Sequence, residues 1–237
     1  MIINNSHQFI FVHIPKAAGT SVTTVLSQFT NYCDLEIGGT TFGEKIQSAY
    51  RERFGIGKHS PAARIKRVTG DVTWSKMFSF SFVRNPFSRC LSTYHFLKKW
   101  ESPNQKFTEQ IRAFTSFDDY VLSDIWDESS GPDDIFRPQC HWLRDENPSG
   151  QLIVDFVGKV EQIDADLLHC LNVIGVRKAA TAFSMMPKLN TSEPHSLDSL
   201  QNKDVVEKIV KKYKVDFEAF SYPVEIQPSI QPAAEKD

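Results

Sequence analysis

Residues 9–22 combine an apolar run, a short turn with one lysine, and two hydroxyl residues that open a helical pattern. The turn reads HIPKAAGTS over residues 13–21. Backbone N–H groups at the start of a helix point toward a bound anion, and the helix dipole favours negative charge there. Lys16 adds a positive charge to such a site, while Thr20 and Ser21 add hydroxyl donors. The segment therefore predicts a loop that binds a phosphate group.

The lysine of this loop does not stand where nucleoside-triphosphate enzymes place theirs. Their pattern, GxxxxGK followed by Ser or Thr, puts the lysine directly before the hydroxyl residue. Here Lys16 comes three residues before Gly19, and no lysine directly precedes Thr20. We therefore expect a phosphate ester that needs no Mg²⁺, and we predict no metal ion in this site.

A second candidate anion site lies in residues 82–94, which read FVRNPFSRCLSTY. Arg84 stands at the end of an apolar strand pattern, and Pro86 starts the helical pattern that follows. Arg89 and Ser92 are three residues apart and share one helical face. A guanidinium fits phosphate oxygens well, although a salt-bridged arginine and a capping serine explain either residue alone. Two such strand-to-helix turns in one chain favour two separate phosphate sites.

The elements that must position these turns are predicted from hydrophobic periodicity. Strands are expected over residues 8–14, 77–83 and 152–160. Helices are expected over residues 18–30, 43–54, 61–69, 86–100, 116–125, 163–174 and 204–213, with Ser116 as a helix cap. Alternating strands and helices predict an α/β protein, a three-layer P-loop-like fold with a central parallel sheet flanked by helices and ligands at the C-terminal strand ends. We expect one domain over residues 1–222 and a loose tail over 223–237.

Composition narrows the class of protein further. The chain has 237 residues, of which 41% are hydrophobic and 24% charged, and this suits a globular protein with a sizeable core. A net charge of −2 gives no general attraction to nucleic acid, so we expect no such partner. The four cysteines are irregularly spaced and predict neither a disulfide nor a metal framework. No signal peptide or long apolar run is evident, so we expect a cytoplasmic protein without a membrane segment.

At residues 13–21 and 82–94 the chain resembles the two cofactor motifs of sulfotransferases. The similarity is to the carbohydrate group that includes the heparan-sulfate 2-O-sulfotransferases and bacterial relatives. The resemblance implies 3′-phosphoadenosine 5′-phosphosulfate as the sulfuryl donor and a hydroxyl of a saccharide or glycoconjugate as the acceptor. It places Lys16 on the bridging oxygen of the donor. It also implies that four residues surround the 5′-phosphate, namely Ala18, Gly19, Thr20 and Ser21. It further implies that Arg84 and Ser92 hold the 3′-phosphate and that Asn190 and Ser192 lie in a loop closing over the nucleotide.

The attacking hydroxyl must lose a proton, and a neutral histidine is the usual acceptor near pH 7. His59 is the preferred base, since it precedes a Ser-Pro helix start and matches the place where related sulfotransferases carry theirs. A loop histidine beside a local cap is the alternative for His59. Lys58, its neighbour, is predicted to polarise the acceptor or contact the sulfonate. His13 is expected to be a packed core residue.

Other candidate residues have structural alternatives of similar weight. Gln139 and His141 are predicted to face the acceptor, although a turn-stabilising amide explains Gln139 equally well. Glu161 is interpreted as a structural charge near a helix start. The lysines Lys208, Lys211, Lys212 and Lys214 are expected to form a solvated helix face.

Two other functions remain open at this point. A nucleotide kinase or phosphatase-like enzyme of the same fold requires a Mg²⁺ ligand and a lysine directly before the hydroxyl residue, and neither is evident. A nucleotide-binding protein without catalysis retains Lys16 and Arg84 but tolerates the loss of His59.

Overall fold

The computed structural model describes residues 1–128, 131–146, 150–176 and 200–225. These residues form two compact units. The first unit contains residues 1–85, 131–146 and 150–176, and the second contains residues 86–128 and 200–225.

The first unit is built on a five-stranded mixed sheet. Its strands are β1 (Ile2–Asn4), β2 (Phe9–Val12), β3 (Leu35–Glu36), β4 (Phe78–Val83) and β5 (Phe156–Lys159). Their order in the sheet is β3-β1-β2-β4-β5, and β2, β4 and β5 run parallel. The strands β1 and β3 pair antiparallel at one side, so the prediction of a parallel sheet is correct for three strands only.

The antiparallel strands were missed because β1 and β3 have only three and two residues, too few to show a period. A turn of four residues suffices to join β1 to β2, since antiparallel neighbours need no crossover helix. The carboxylate of Asp34 stabilises this turn, because it accepts hydrogen bonds from the N–H groups of Asn5 at 2.7 Å and Ser6 at 2.9 Å.

The core of the first unit lies between the sheet and two helices, α1 (Gly19–Leu26) and α10 (Ile163–Val173). Phenylalanines alternate along β2 and β4 and therefore project to one face of the sheet. Their rings pack against one another, with centroids 5.5 Å apart for Phe11 and Phe80. Every residue of β2 is buried, as expected for the middle strand of the sheet.

The remaining helices of the first unit are α2 (Thr41–Phe54), α3 (Ala62–Thr69), α4 (Asp71–Lys76) and α9 (Cys140–Leu143). The predictions for α1, α2 and α3 agree within a few residues, except that a 3₁₀ turn over Ser27–Phe29 follows α1. The strand predicted over 152–160 corresponds to β5, which begins only at Phe156. Leu152, before it, forms an isolated bridge with Arg144. The short helices α4 and α9 were not predicted.

The second unit is helical among its described residues. It contains α5 (Pro86–Lys99), α6 (Gln105–Ala113), α7 (Phe117–Leu122), α8 (Ile125–Glu128) and α11 (Lys203–Ala219). The predicted cap of α7 is confirmed, since the Ser116 hydroxyl accepts from the Asp119 N–H at 3.0 Å. The helix predicted over 204–213 continues to residue 219, past non-helical dihedral angles at Tyr213. Of the predicted tail, the structure describes residues 223–225.

Two lysines of α11 correct the prediction of a solvated face. The ammonium group of Lys208 donates to the carbonyl of Ser123 at 2.7 Å, and Lys212 donates to the carbonyl of Trp126. The Ser123 carbonyl lies just beyond α7, and the Trp126 carbonyl lies in the four-residue helix α8. The last four carbonyl groups of a helix have no partner inside it. These lysines therefore hold α7 and α8 against α11.

Candidate active site

The loop between β2 and α1 has an unusual backbone. Lys16 has φ 64° and Ala18 has φ 54°, whereas Ala17 between them does not have a positive φ. Such alternation turns successive N–H groups toward one side and forms a concave anion site. A residue other than glycine in this left-handed region costs roughly 1–3 kcal/mol, and such strain concentrates at ligand sites. The backbone of this loop is compatible with an anion site, and the phosphate site itself stays a prediction.

The start of α1 carries no negative charge of its own. Ala18 precedes the helix and has no side-chain acceptor, and the first turn contains no acidic residue. The first N–H groups of a helix otherwise need a capping partner or a ligand. Thr20 is exposed, whereas Gly19 and Ser21 are buried. The first turn of α1 is therefore suited to an anion.

His13 connects this loop to His59. The His59 Nδ1 lies 2.8 Å from the backbone carbonyl oxygen of His13, and the two ring centroids are 4.7 Å apart. A carbonyl can only accept, so Nδ1 of His59 donates and its Nε2 keeps the lone pair. Desolvation, with the positive charge of Lys58 adding to it, lowers the pKa of His59 to about 3. His59 is therefore neutral near pH 7.

Two further contacts fix the segment that contains His59. The indole N–H of Trp142 on α9 donates to the His59 carbonyl at 3.0 Å. The backbone N–H of Lys58 donates to the side-chain oxygen of Gln47 on α2 at 2.8 Å. Neither Trp142 nor Gln47 was singled out from the sequence, because their partners are 83 and 11 residues away.

The ammonium group of Lys58 is tied to α2. It lies 3.1 Å from a carboxylate oxygen of Glu44, and the same oxygen accepts the N–H of Gly39 at 3.0 Å. The stem of Lys58 packs on Gly38, where a Cβ would come within 2.6 Å of the lysine side chain. Lys58 is thus held beside His59 by an ion pair.

The turn after β4 is held by side chains from distant segments. The amide of Gln139 is fully buried, accepts from the Arg84 N–H and donates to the Arg84 carbonyl, both at 2.8 Å. The next N–H, that of Asn85, donates to Glu161 at 2.7 Å. These contacts favour the turn-stabilising alternative for Gln139 over a contact to the acceptor. They also agree with a structural charge at Glu161.

His141 is partly buried on α9 next to Trp142. Burial, followed by the positive charge of Arg137, lowers the pKa of His141. His141 directly precedes Trp142 in the chain, and Trp142 donates to the carbonyl of the predicted base, His59.

The structure therefore brings together the residues of the phosphate loop, His13, Lys58 and His59, all in the first unit. Ser92 belongs to the second unit and Arg84 to the first, so their common 3′-phosphate site stays a prediction. Arg89 is buried, with its guanidinium carbon 6.0 Å from the centre of the Tyr213 ring. Asn190 and Ser192 lie outside the described residues.

Within the described residues, no cluster of three or more His, Cys, Asp or Glu side chains has the arrangement of a metal site. The helices of that same part of the chain include none whose length and apolar character would let it span a membrane.

Comparison with known proteins matches residues 1–223 to the model of the "Sulfotransferase family". Carbohydrate sulfotransferase 14 of Danio rerio is 22% identical, over 94% of this chain and 62% of that protein. Carbohydrate sulfotransferase 12 of Mus musculus is 23% identical, over 94% of this chain and 60% of that protein. The chain thus spans about three fifths of the length of these relatives. No solved structure matches the chain.

Proposed function

The chain belongs to the sulfotransferase family, and from this premise we propose that it moves a sulfuryl group from 3′-phosphoadenosine 5′-phosphosulfate to a hydroxyl of a carbohydrate or glycoconjugate. The observation that carries the proposal is the link between the phosphate loop and a neutral histidine through His13. Similarity to two carbohydrate sulfotransferases supports the acceptor class. The proposal includes the three-layer, P-loop-like arrangement expected from the sequence.

The residues of the loop fit the 5′-phosphosulfate end of the donor. The positive φ angles at Lys16 and Ala18 and the start of α1 without an acidic cap both favour an anion. Lys16 would sit at the bridging oxygen, with Ala18, Gly19, Thr20 and Ser21 around the phosphate. When bound, the donor supplies an activated sulfuryl group whose bond to the phosphate oxygen breaks as the acceptor oxygen bonds to sulfur.

Lys16 would offset the negative charge that develops on the leaving phosphate oxygen, and removal of such a donor typically costs about 10²–10³ in rate. Arg84 and Ser92 would hold the 3′-phosphate, and Asn190 and Ser192 would close over the nucleotide. No residue in this scheme requires a metal ion.

His59 would take the proton of the attacking hydroxyl on its Nε2 as the acceptor oxygen displaces the phosphate from sulfur by in-line attack. Its Nδ1 is already engaged by the His13 carbonyl, which fixes the tautomer. A pKa near 3 makes a weak base, but negative charge placed in the adjacent loop would favour the imidazolium and so would raise the pKa of His59. Lys58 and His141 would contact the acceptor.

Nucleotide binding and acceptor transfer together test this function. We expect 3′-phosphoadenosine 5′-phosphate to bind in the presence of EDTA, and to bind more tightly than ATP or AMP. We further expect an acceptor panel of saccharides, incubated with the donor, to gain the mass of one sulfate. ATP binding that requires Mg²⁺ would contradict the proposal and favour a kinase. Nucleotide binding without transfer to any saccharide or other hydroxyl acceptor would favour a binding protein.

A further inference from the structure

The side chain of His13 contacts both the start of α1 and the ring of His59. A Cβ built on Gly19 would lie 2.1 Å from Cδ2 and Nε2 of His13, so only a hydrogen atom fits there. On the other side, the His13 and His59 rings meet at 79° with centroids 4.7 Å apart. The His13 ring therefore sets the spacing between the first residue of α1 and His59.

The environment of His13 makes it a neutral spacer. The residue is 3% exposed, and its Nδ1 forms no hydrogen bond to any described residue. A buried N–H without a partner is costly, which disfavours a proton on Nδ1. Desolvation, with the charge of His59 next, keeps the pKa of His13 well below 6.5. A neutral ring adds no positive charge that would oppose protonation of His59.

We propose that His13 is a positioning residue, whose ring holds His59 at a fixed distance from the phosphate loop while its carbonyl fixes the His59 tautomer. The inference rests on the proposed function of His59 as the base. It goes further because it assigns a role to a residue that touches neither the donor nor the acceptor in that scheme. It also explains why position 19 must be glycine although its backbone needs no positive φ.

Two substitutions at position 13 separate ring volume from ring chemistry. His13→Ala removes the spacer and is expected to lower kcat by about 100-fold, the effect of a misplacement of about 1 Å. Because Lys16, Ala18 and the first turn of α1 keep their residues, the Kd for 3′-phosphoadenosine 5′-phosphate should change far less than kcat. His13→Phe keeps a ring and is the matched control, and it should regain most of the lost kcat. An unchanged kcat in His13→Ala, or an equal loss in His13→Phe, would overturn the inference.

A double-mutant cycle tests the contact with Gly19 through nucleotide affinity alone. Gly19→Ala is expected to weaken 3′-phosphoadenosine 5′-phosphate by about tenfold or more, because the new Cβ overlaps the His13 ring. In the background of His13→Ala that loss should largely disappear, since the methyl group then has space. Additive losses would contradict the spacer role whether or not sulfuryl transfer occurs.

The imidazole ¹⁵N shifts of the wild-type protein give a readout that needs no variant to fold. We expect His59 at pH 7 to be neutral with its proton on Nδ1, and an Nε2–H tautomer would overturn the inference. Absence of sulfuryl transfer by the wild-type protein contradicts the proposed function instead. The ¹⁵N spectrum and the affinity cycle still decide whether His13 and His59 are arranged as inferred.

Discussion

The turn after β2 and the turn after β4 are shaped in different ways. The first turn is strained within itself, with positive φ angles at Lys16 and Ala18. The second turn is held from outside, by Gln139 and Glu161, which contact residues 55 and 76 positions earlier in the chain. Both turns lie in short motifs of the sequence, but the distant side chains that hold the second turn lie outside its motif.

The largest expected effect concerns the histidine beside the first turn. His59→Ala should lower the rate of sulfuryl transfer by about 10²–10⁴, the usual contribution of a general base. The Kd for 3′-phosphoadenosine 5′-phosphate should stay nearly constant, because the phosphate loop does not include His59. Single-turnover rates and calorimetry measure the two quantities. His169→Ala, on the outer part of α10, serves as a control with ordinary activity, and full activity of His59→Ala would move the base elsewhere.

The second turn is tested by a nucleotide that lacks the 3′-phosphate. A hydrogen bond to a charged group contributes about 1.5–3 kcal/mol, so Arg84→Ala should weaken 3′-phosphoadenosine 5′-phosphate by about 10- to 100-fold. AMP, which cannot contact this site, should bind the variant and the wild type alike. Calorimetric titrations with both nucleotides measure the ratio. An equal loss for the two would show that Arg84 does not recognise the 3′-phosphate.

Substitution of Gln139, whose amide holds the backbone of the second turn, tests whether that turn depends on a distant side chain. Gln139→Leu removes the side-chain amide that the N–H and carbonyl of Arg84 both contact, and it should cost about 1–3 kcal/mol of unfolding free energy. The preference for 3′-phosphoadenosine 5′-phosphate over AMP should fall at the same time, because Arg84 loses its fixed backbone. Urea unfolding and the affinity ratio measure these effects. Glu161→Gln keeps an acceptor for Asn85 and should change both much less, whereas an unchanged ratio in Gln139→Leu would refute the positioning role.

Acid should lower the free energy of unfolding through the two buried histidines at the first turn, His13 and His59. Burial lowers the pKa of His59 to about 3 and that of His13 well below the 6.5 of an unfolded chain. Below pH 6.5 the unfolded state therefore binds more protons than the folded state, and stability is lost as the pH falls toward 3. Each histidine contributes a slope of up to about 1.4 kcal/mol per pH unit. Urea unfolding at a series of pH values between 6.5 and 3 measures how the unfolding free energy changes with pH. We expect a smaller change per pH unit for His59→Gln than for the wild type, and equal changes would contradict the assigned pKa shift of His59.

The same contrast explains what the sequence could predict. The phosphate loop, Arg84 at a strand end and the histidine after Lys58 follow from local patterns of residue type. The partners of Gln139, Trp142 and Glu161 lie 55 or more residues away, so a local pattern suggests a structural role for Gln139 and Glu161 without identifying the residues they contact. The short strand β3 was missed for a related reason, since pairing with β1 rather than its own two residues defines it.

The left-handed angles at Lys16 and Ala18 were also beyond the sequence, because neither is the glycine that such a conformation usually attracts. A physical reason for these angles is that a loop binding an anion has to direct several N–H groups to one point. The tight approach of Gly19 to His13 is a further case, since a glycine in a motif does not say which neighbour requires it.

The smallest predicted effect measures the strain in the first turn directly. Ala18→Gly removes the steric cost of a positive φ, while the greater freedom of glycine in the unfolded chain offsets about 0.4–1 kcal/mol of that gain. With a steric cost of roughly 1–3 kcal/mol, we expect a net increase in unfolding free energy between about 0 and 2.6 kcal/mol. Ala17→Gly is the matched control, since Ala17 is buried without a positive φ and its replacement should destabilise the protein. If both variants lose stability alike, the loop is not strained at Ala18, and the first turn is held by its surroundings as the second one is.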